Sequence, residues 1–178
     1  MRCFIAINLP KETKKRISKI MKDFQEKGIK KVEEQNLHLT LKFLGEVNEK
    51  KIEEIKQILE KINYKKFEVS LKNFGFFPND NFIKVVWIGI EKGRKEIIEL
   101  QKQIDFGLKD LSFKPETNFE PHLTIARIKF LKNKKEFLKK VSELKFKDNF
   151  SVSNFDLMQS FLKPGGPVYK KILSIGLV

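Results

Sequence analysis

The chain is poor in the residues that most often build covalent bridges and metal centres. Its 178 residues include one cysteine and two histidines. Because Cys3 is the only cysteine, no disulfide can form within the chain, and its apolar neighbours predict a buried, unreactive thiol in a reducing cytoplasm. A metal ion would need a third or fourth ligand besides two histidines, and no carboxylate is suitably spaced from them. We therefore expect no metal and no other cofactor.

Long apolar runs are missing as well. A membrane-spanning helix needs ~20 consecutive apolar residues, whereas the apolar opening of residues 3–7 is interrupted at Asn8 and Pro10. We expect no membrane segment and no secretion signal. Linkers and low-complexity tracts are also absent, so residues 1–178 are expected to form one domain.

Arginine is scarce, since only four of the 37 basic residues are arginines, yet the formal net charge reaches +14. This excess of lysine favours a polyanionic partner, with RNA or DNA ahead of an acidic membrane surface. A lysine-rich surface also arises from solubility alone. Charge by itself is therefore weak support for a nucleic-acid partner.

Patterned apolar residues, in contrast, are abundant: 40% of the chain is hydrophobic, including 17 phenylalanines. Helical spacing predicts four core-facing helices, over residues 17–24 with a stop at Gly28, 52–62, 97–108 and 137–144. Strand-like composition predicts a first strand over 2–8 and two hairpins, 67–74 with 82–90 around a loop at 75–81, and 152–160 with 168–175 around 164–167. This mixture favours an α+β fold with largely antiparallel sheets.

The two histidines lie in nearly identical segments, NLHLTL over Asn36–Leu41 and EPHLTI over Glu120–Ile125. They are separated by about half of the chain, which predicts two equivalent lobes that each contribute one imidazole. Both segments have strand character. Because side chains alternate between the faces of a strand, each histidine should share a face with the threonine two residues later.

Two imidazoles and two hydroxyls are suited to phosphodiester chemistry without a metal. The unperturbed pKa of histidine, ~6.5, allows one copy to act as a general base and the other as a general acid near neutral pH. Threonine hydroxyls can donate to the non-bridging oxygens of a phosphoryl group as charge develops in the transition state. The residues themselves do not distinguish the acid from the base.

The longer segments NLHLTLKFLG over Asn36–Gly45 and PHLTIAR over Pro121–Arg127 resemble the two motifs of the two-histidine (2H) phosphoesterases. Within them the chain is similar to the RNA 2′,3′-cyclic phosphodiesterases, historically called 2′-5′ RNA ligases. Supporting similarity lies in residues 2–7, 77–78, 86–89, 160–162 and 166–169.

The resemblance implies a bilobed α+β fold, with two mainly antiparallel sheets, flanking helices and pseudo-twofold symmetry around a central cleft. It implies hydrolysis of a terminal RNA 2′,3′-cyclic phosphate to a 2′-phosphomonoester, and some members also join RNA ends through a 2′-5′ bond. The implied proton donor is His38 and the implied proton acceptor is His122. Thr40 and Thr124 would hold the phosphate, and we expect a cytoplasmic monomer that acts on RNA.

Three further residues are candidates for substrate binding. In the family an arginine at the position of Arg127 contacts the phosphate, but strict alternation would put it on the face opposite His122, so a bulge or a strand end is required nearby. Lys42 should share the face of His38 and is either a second phosphate contact or a solvent-exposed lysine. Phe43 either stacks on a base or, as its many fellow phenylalanines suggest, joins the core.

Two other functions remain open at this point. A non-catalytic module could use the same residues only to capture RNA ends, although binding alone has little need of a matched acid and base. Alternatively, the enzyme could act on a small cyclic phosphate rather than on RNA. Salt dependence would separate these substrates, because only a long RNA engages several lysines.

Overall fold

The computed structural model describes residues 1–178 and contains nine strands and four α-helices. The strands are β1 (Arg2–Asn8), β2 (Ile29–Lys31), β3 (His38–Glu46), β4 (Phe67–Pro78), β5 (Ile83–Ile90), β6 (Leu123–Ile128), β7 (Lys147–Val152), β8 (Asn154–Lys163) and β9 (Gly166–Gly176). The helices are α1 (Lys11–Ile20), α2 (Glu49–Leu59), α3 (Arg94–Leu108) and α4 (Lys134–Glu143). Short 3₁₀ helices span Glu34–Asn36 and Lys109–Leu111.

The strands form two antiparallel sheets. One has the order β3-β1-β8-β9 and the other has the order β2-β6-β5-β4-β7. The succession strand, helix, histidine strand, helix occurs twice, as β1, α1, β3, α2 and as β5, α3, β6, α4. In each copy the histidine strand pairs with the strand that opens the copy. The expected α+β class with antiparallel sheets is confirmed, and the twofold repeat is visible in the topology.

The apolar stripes of the helices face one core of 38 buried residues, as their spacing predicts. In α2, for example, Ile52, Ile55 and Leu59 are buried, whereas the lysines and glutamates of the helix are at least partly exposed. Asn48 caps this helix, because its side chain accepts a hydrogen bond from the backbone N–H of Lys51 at 2.9 Å. Cys3 is buried, and burial raises the pKa of its thiol.

The structure differs from the predictions in the first helix, in β4 and in two additional strands. The first helix ends at Ile20, because Phe24 N–H bonds to Met21 three residues back and the chain tightens into a turn. Strand β4 continues through Gly75, where the sequence predicts a turn, because that glycine makes room for the ring of Trp87. Strands β2 and β7 have no counterpart in the predicted elements.

Candidate active site

A cleft of about 560 Å³ lies between the two sheets and is lined by both histidines and both motif threonines. His38 opens β3, and Thr40 follows two residues later on the same strand. His122 lies one residue before β6, where the ladder with β5 begins at Leu123. The structure thus brings together the two segments that the repeat predicts to be equivalent, except that His122 stands just outside its strand.

Each histidine segment contains a β-bulge three residues after the histidine. In the β1–β3 ladder Ala6 pairs with Thr40 but Ile5 pairs with Lys42, so Leu41 is the extra residue. In the β5–β6 ladder Trp87 pairs with Thr124 while Val86 pairs with Ala126, which leaves Ile125 extra. Since a bulge interrupts strand alternation, the residues after it change face.

The bulges decide which of the candidate residues reach the cleft. Arg127 pairs with Val85 and lines the cleft together with His122, so the required bulge is present. Phe43, at the matching offset from His38, also lines the cleft and is 67% exposed, so the prediction that it joins the core is wrong. Lys42 pairs with buried Ile5 and is turned away from the face of His38.

Lys42 is consequently neither a solvent-exposed lysine nor a free cation. It is 3% exposed and forms an ion pair with Asp105 of α3, and its ammonium also donates to the carbonyl of Lys114 at 2.8 Å. Asp105 accepts further hydrogen bonds from Gln101 and from the backbone N–H of Glu116, both at 2.8 Å. This network joins the first histidine strand to α3 and to the segment that leads to the second histidine, and it occupies two of the three N–H donors of the Lys42 ammonium.

The two imidazoles are held by the same backbone contact. Nδ1 of His38 lies 2.6 Å from the carbonyl oxygen of Asn36, and Nδ1 of His122 lies 2.7 Å from that of Glu120. A carbonyl only accepts, so Nδ1 carries the proton in each ring and Nε2 of the neutral ring has a free lone pair. Neither Nε2 has a hydrogen-bond partner within the protein. Both rings can therefore exchange a proton with a ligand in the cleft.

The surroundings of the two rings differ. The ring of His38 lies against Phe4 and Tyr169, with centroids 4.9 and 5.3 Å away. This burial lowers the pKa of His38 from 6.5 to about 4, opposed by the Asn36 carbonyl and assisted by the charge of Lys14. His122 has one aromatic neighbour, Phe77, whose ring centroid is 4.8 Å away in an edge-to-face arrangement.

The other polar groups of the motif are free to bind a ligand. The hydroxyls of Thr40 and Thr124 make no hydrogen bond to the protein, and the exposed guanidinium of Arg127 has no carboxylate partner. Arg127 is close enough to Tyr169 to oppose the rise that burial causes in the pKa of that phenol. Two hydroxyl donors and one planar cation thus line the same cleft as the imidazoles, a set of groups that suits a phosphoryl group.

Asn36 is a site residue that sequence reasoning treats only as part of the motif. It is buried, and its side-chain Nδ2 donates to the carbonyl of Pro167 at 2.8 Å while its own carbonyl holds His38. Pro167 lies in β9 two residues before Tyr169, so Asn36 links both sides of the His38 site. The sequence signal that could have identified Asn36 is the difference between the two segments at this position. The matching residue in the second segment is Glu120, which instead forms a bidentate ion pair with Arg94.

No group of three or more His, Cys, Asp or Glu side chains is placed to hold a metal ion. None of the four helices has the length and apolar character needed to cross a membrane.

Comparison with known proteins gives one family. The family described as LigT like Phosphoesterase matches the chain twice, over residues 7–87 and 88–169, with one histidine segment in each match. A relative from Methanocaldococcus jannaschii named RNA 2′,3′-cyclic phosphodiesterase is 42% identical over 97% of this chain and 98% of its own. A relative of the same name from Archaeoglobus fulgidus is 37% identical over 97% of this chain and 98% of its own.

Solved structures agree with this assignment. A crystal structure of a Thermus thermophilus protein has a TM-score of 0.85 at 28% identity and covers 99% of this chain and 97% of that chain. Escherichia coli LigT complexed with 3′-AMP has a TM-score of 0.82 at 25% identity and covers 99% of this chain and 98% of that chain. The resemblance to the 2H phosphoesterases is confirmed, and the chain belongs to the LigT-like phosphoesterase family.

Proposed function

We propose that this protein hydrolyses the 2′,3′-cyclic phosphate at the end of an RNA to a 2′-phosphomonoester, without a metal. The observation that carries the proposal is the pair of imidazoles, each fixed through Nδ1 and free at Nε2, in one cleft. The near-full-length relatives from Methanocaldococcus jannaschii and Archaeoglobus fulgidus, both named RNA 2′,3′-cyclic phosphodiesterase, support the same substrate.

The reaction needs one proton removed and one proton supplied. Nε2 of His122 accepts a proton from water as the water oxygen bonds to phosphorus. The bond from phosphorus to the 3′ oxygen breaks, and protonated His38 supplies its Nε2 proton to that oxygen, so a 3′ hydroxyl and a 2′-phosphate result. Thr40, Thr124 and Arg127 hold the non-bridging oxygens, where negative charge accumulates.

The role of His38 as donor requires that substrate binding changes its protonation. With its pKa lowered to about 4, the ring is neutral at pH 7 in the free protein. A phosphodiester anion bound beside the ring favours the imidazolium and raises this pKa, as an opposite charge within hydrogen-bonding distance does. Binding of the substrate and loading of the acid are then one event.

Phe43 is proposed to contact the terminal base, because its exposed ring lies on the cleft face of β3. Lys42 is left out of the proposed phosphate site, since its ammonium is bonded to Asp105 and to the carbonyl of Lys114. All these groups belong to one chain, so we propose a monomer in which residues 1–178 act as one catalytic unit. We place this RNA-processing activity in the cytoplasm.

The test uses a short RNA that ends in a 2′,3′-cyclic phosphate, incubated with the protein in EDTA and analysed for the position of the phosphate. We expect a 2′-phosphate product from the wild type. Positioned proton transfer contributes 10²- to 10⁴-fold, so we expect His38→Ala and His122→Ala to lower the rate by at least about a hundredfold each. Thr13→Ala, at a threonine outside the cleft, is the matched control and should turn over normally.

Each alternative function has its own outcome. Wild-type activity equalled by both histidine variants would overturn the two-histidine mechanism. Tight, salt-sensitive RNA binding without any turnover would identify a binding module instead. Turnover of a small cyclic phosphate but not of RNA would show that the substrate is a small molecule rather than an RNA end.

A further inference from the structure

Strand β2 places a second cation beside Arg127. In the β2–β6 ladder Lys30 pairs directly with Arg127, so the two side chains share the face that lines the cleft. Strand β2 lies at the edge of its sheet, and Lys30 is exposed. Neither Lys30 nor Arg127 forms an ion pair or a side-chain hydrogen bond within the protein.

Two like charges directly opposite each other on antiparallel strands destabilise the pairing. The other two cations that oppose each other directly in a ladder, Lys72 and Lys147, share the carboxylate of Glu91 at 2.8 and 4.0 Å.

In the cleft, Glu120 is bound to Arg94 at 2.6 Å. Of the carboxylates that line the cleft, Glu33 and Glu116 lie outside the strands and pair with neither cation. An unneutralised pair in a cleft is therefore best explained by a ligand with more than one anionic group, which the two cations bind together.

The Lys30 ammonium also reaches the other lobe. It lies 3.9 Å from the position that a Cβ would take on Gly166, at the tip of the β8–β9 hairpin. Across that hairpin Leu162 pairs with Pro167, and Leu162 is 70% exposed. A cation next to exposed apolar side chains is suited to a nucleotide, since it offers a contact for a phosphate and a surface for a base or sugar.

We propose that Lys30 binds the phosphodiester that precedes the terminal nucleotide, while Arg127 holds the reacting phosphate beside it. The proposal rests on the proposed cyclic phosphodiesterase function. In this arrangement both lobes contact the RNA strand at the Lys30 end of the cleft. The protein would then prefer an RNA end over a cyclic mononucleotide, because the mononucleotide has no preceding phosphodiester for Lys30 to bind.

The experiment compares two substrates with the same terminal base, a 2′,3′-cyclic mononucleotide and a trinucleotide that ends in a 2′,3′-cyclic phosphate. The measured quantity is the ratio of kcat/KM for the trinucleotide to kcat/KM for the mononucleotide. A hydrogen bond to a charged group contributes enough that we expect this ratio to fall about tenfold in Lys30→Gln. Lys65→Gln removes the same charge from an exposed, unpaired lysine outside the cleft and should keep the wild-type ratio.

Salt provides an independent readout. Binding of the trinucleotide product, which ends in a 2′-phosphate, is measured at several salt concentrations. Each phosphate contact with a single strand contributes about 0.7 to the slope of log affinity against log salt, so Lys30→Gln should reduce the slope by about that amount.

Two results would contradict the assignment in different ways. An unchanged ratio and slope in Lys30→Gln, with both substrates hydrolysed by the wild type, would overturn the role of Lys30 alone. A wild type that hydrolyses neither substrate would overturn the proposed function and this inference with it.

Discussion

The two histidine segments have the same backbone and different side-chain neighbours. In both, Nδ1 is bonded to the carbonyl two residues earlier, and a bulge follows three residues after the histidine. The residue five positions after the histidine faces the cleft in both, but it is Phe43 in one and Arg127 in the other. The residue before it faces the core, as Lys42 and Ala126.

The features that the two segments share and the features in which they differ have separate roles in the site. The shared bulge and carbonyl contact supply the geometry of two matched proton-transfer groups. The differences supply asymmetry, because only the first ring is enclosed by Phe4 and Tyr169 and only the second copy offers a free guanidinium. The proposed reaction is itself asymmetric, because water is added on one side of phosphorus and a hydroxyl is released on the other. It therefore uses both the matched pair of imidazoles and their different surroundings.

The largest expected effect comes from the core-facing position of the first copy. Lys42→Met leaves the buried carboxylate of Asp105 without its cation, and removal of one partner of a buried ion pair costs about 3–5 kcal/mol of unfolding free energy. Urea unfolding measures this loss. Lys72→Met is the matched control, because it breaks an ion pair with Glu91 whose side chains are 41% and 47% exposed, and it should cost less than about 1 kcal/mol. Equal small losses in both variants would contradict the structural role of Lys42.

The second effect concerns the enclosed ring of His38. Because burial lowers its pKa from 6.5 to about 4, the unfolded chain binds more protons than the folded protein between these two pH values. The stability that the neutral ring contributes is therefore complete above pH 6.5 and is lost as the pH falls to 4, by up to about 3 kcal/mol. Unfolding free energies at pH 7 and 4 should differ by less in His38→Gln than in the wild type. The same pH dependence in both proteins would show that the ring is not held neutral by its surroundings.

Substrate binding should reverse this shift. NMR titration of the His38 ring is expected to show a higher pKa when an RNA that ends in a 2′-phosphate is bound, because the anion stabilises the imidazolium. If the His38 ring stayed neutral at pH 7 in the complex, His38 would be assigned as the proton acceptor and His122 as the proton donor.

The third effect tests the cleft-facing positions. Arg127→Gln removes a cation aimed at the developing charge, and we expect kcat/KM for a cyclic RNA end to fall about a hundredfold, or about 2.7 kcal/mol. Phe43→Leu in the first copy removes an aromatic face but keeps apolar contact area, so it should cost less, about 1 kcal/mol, the low end of the range for a stacked base. Steady-state kinetics on one substrate compare the two. A greater loss in Phe43→Leu would mean that base contact, rather than charge, dominates recognition.

The sequence alone is sufficient for the fold class, the four helices, the histidine pairs and the family. These rest on periodicity and on a duplicated motif, which are local properties. The burial of Lys42 cannot be predicted in the same way. The extra residue at Leu41 changes which face of the strand each later side chain occupies, and a bulge has no reliable sequence pattern. The bulge at Ile125 is inferred only because Arg127 needs it.

Long-range partners are equally out of reach. The bonds of Asn36 to Pro167 and of Lys42 to Asp105 join residues far apart in sequence, and no periodicity reports such pairs. The extent of β4 escapes prediction for a related reason, since Gly75 looks like a turn residue until Trp87 is found against it.

The order of strands in the first sheet also affects how the enzyme is made on the ribosome. Strand β1 pairs with β8, with Arg2 opposite Ser160, so the sheet that carries His38 is incomplete until the C-terminal strands have been synthesised. Strands β4, β5, β6 and β7, in contrast, lie within residues 67–152 and can pair earlier. Tyr169 emerges later still. The sheet that carries the segment after His122 can therefore form earlier in synthesis than the sheet that carries His38, and the two halves of the site come together only once β8 and β9 have emerged.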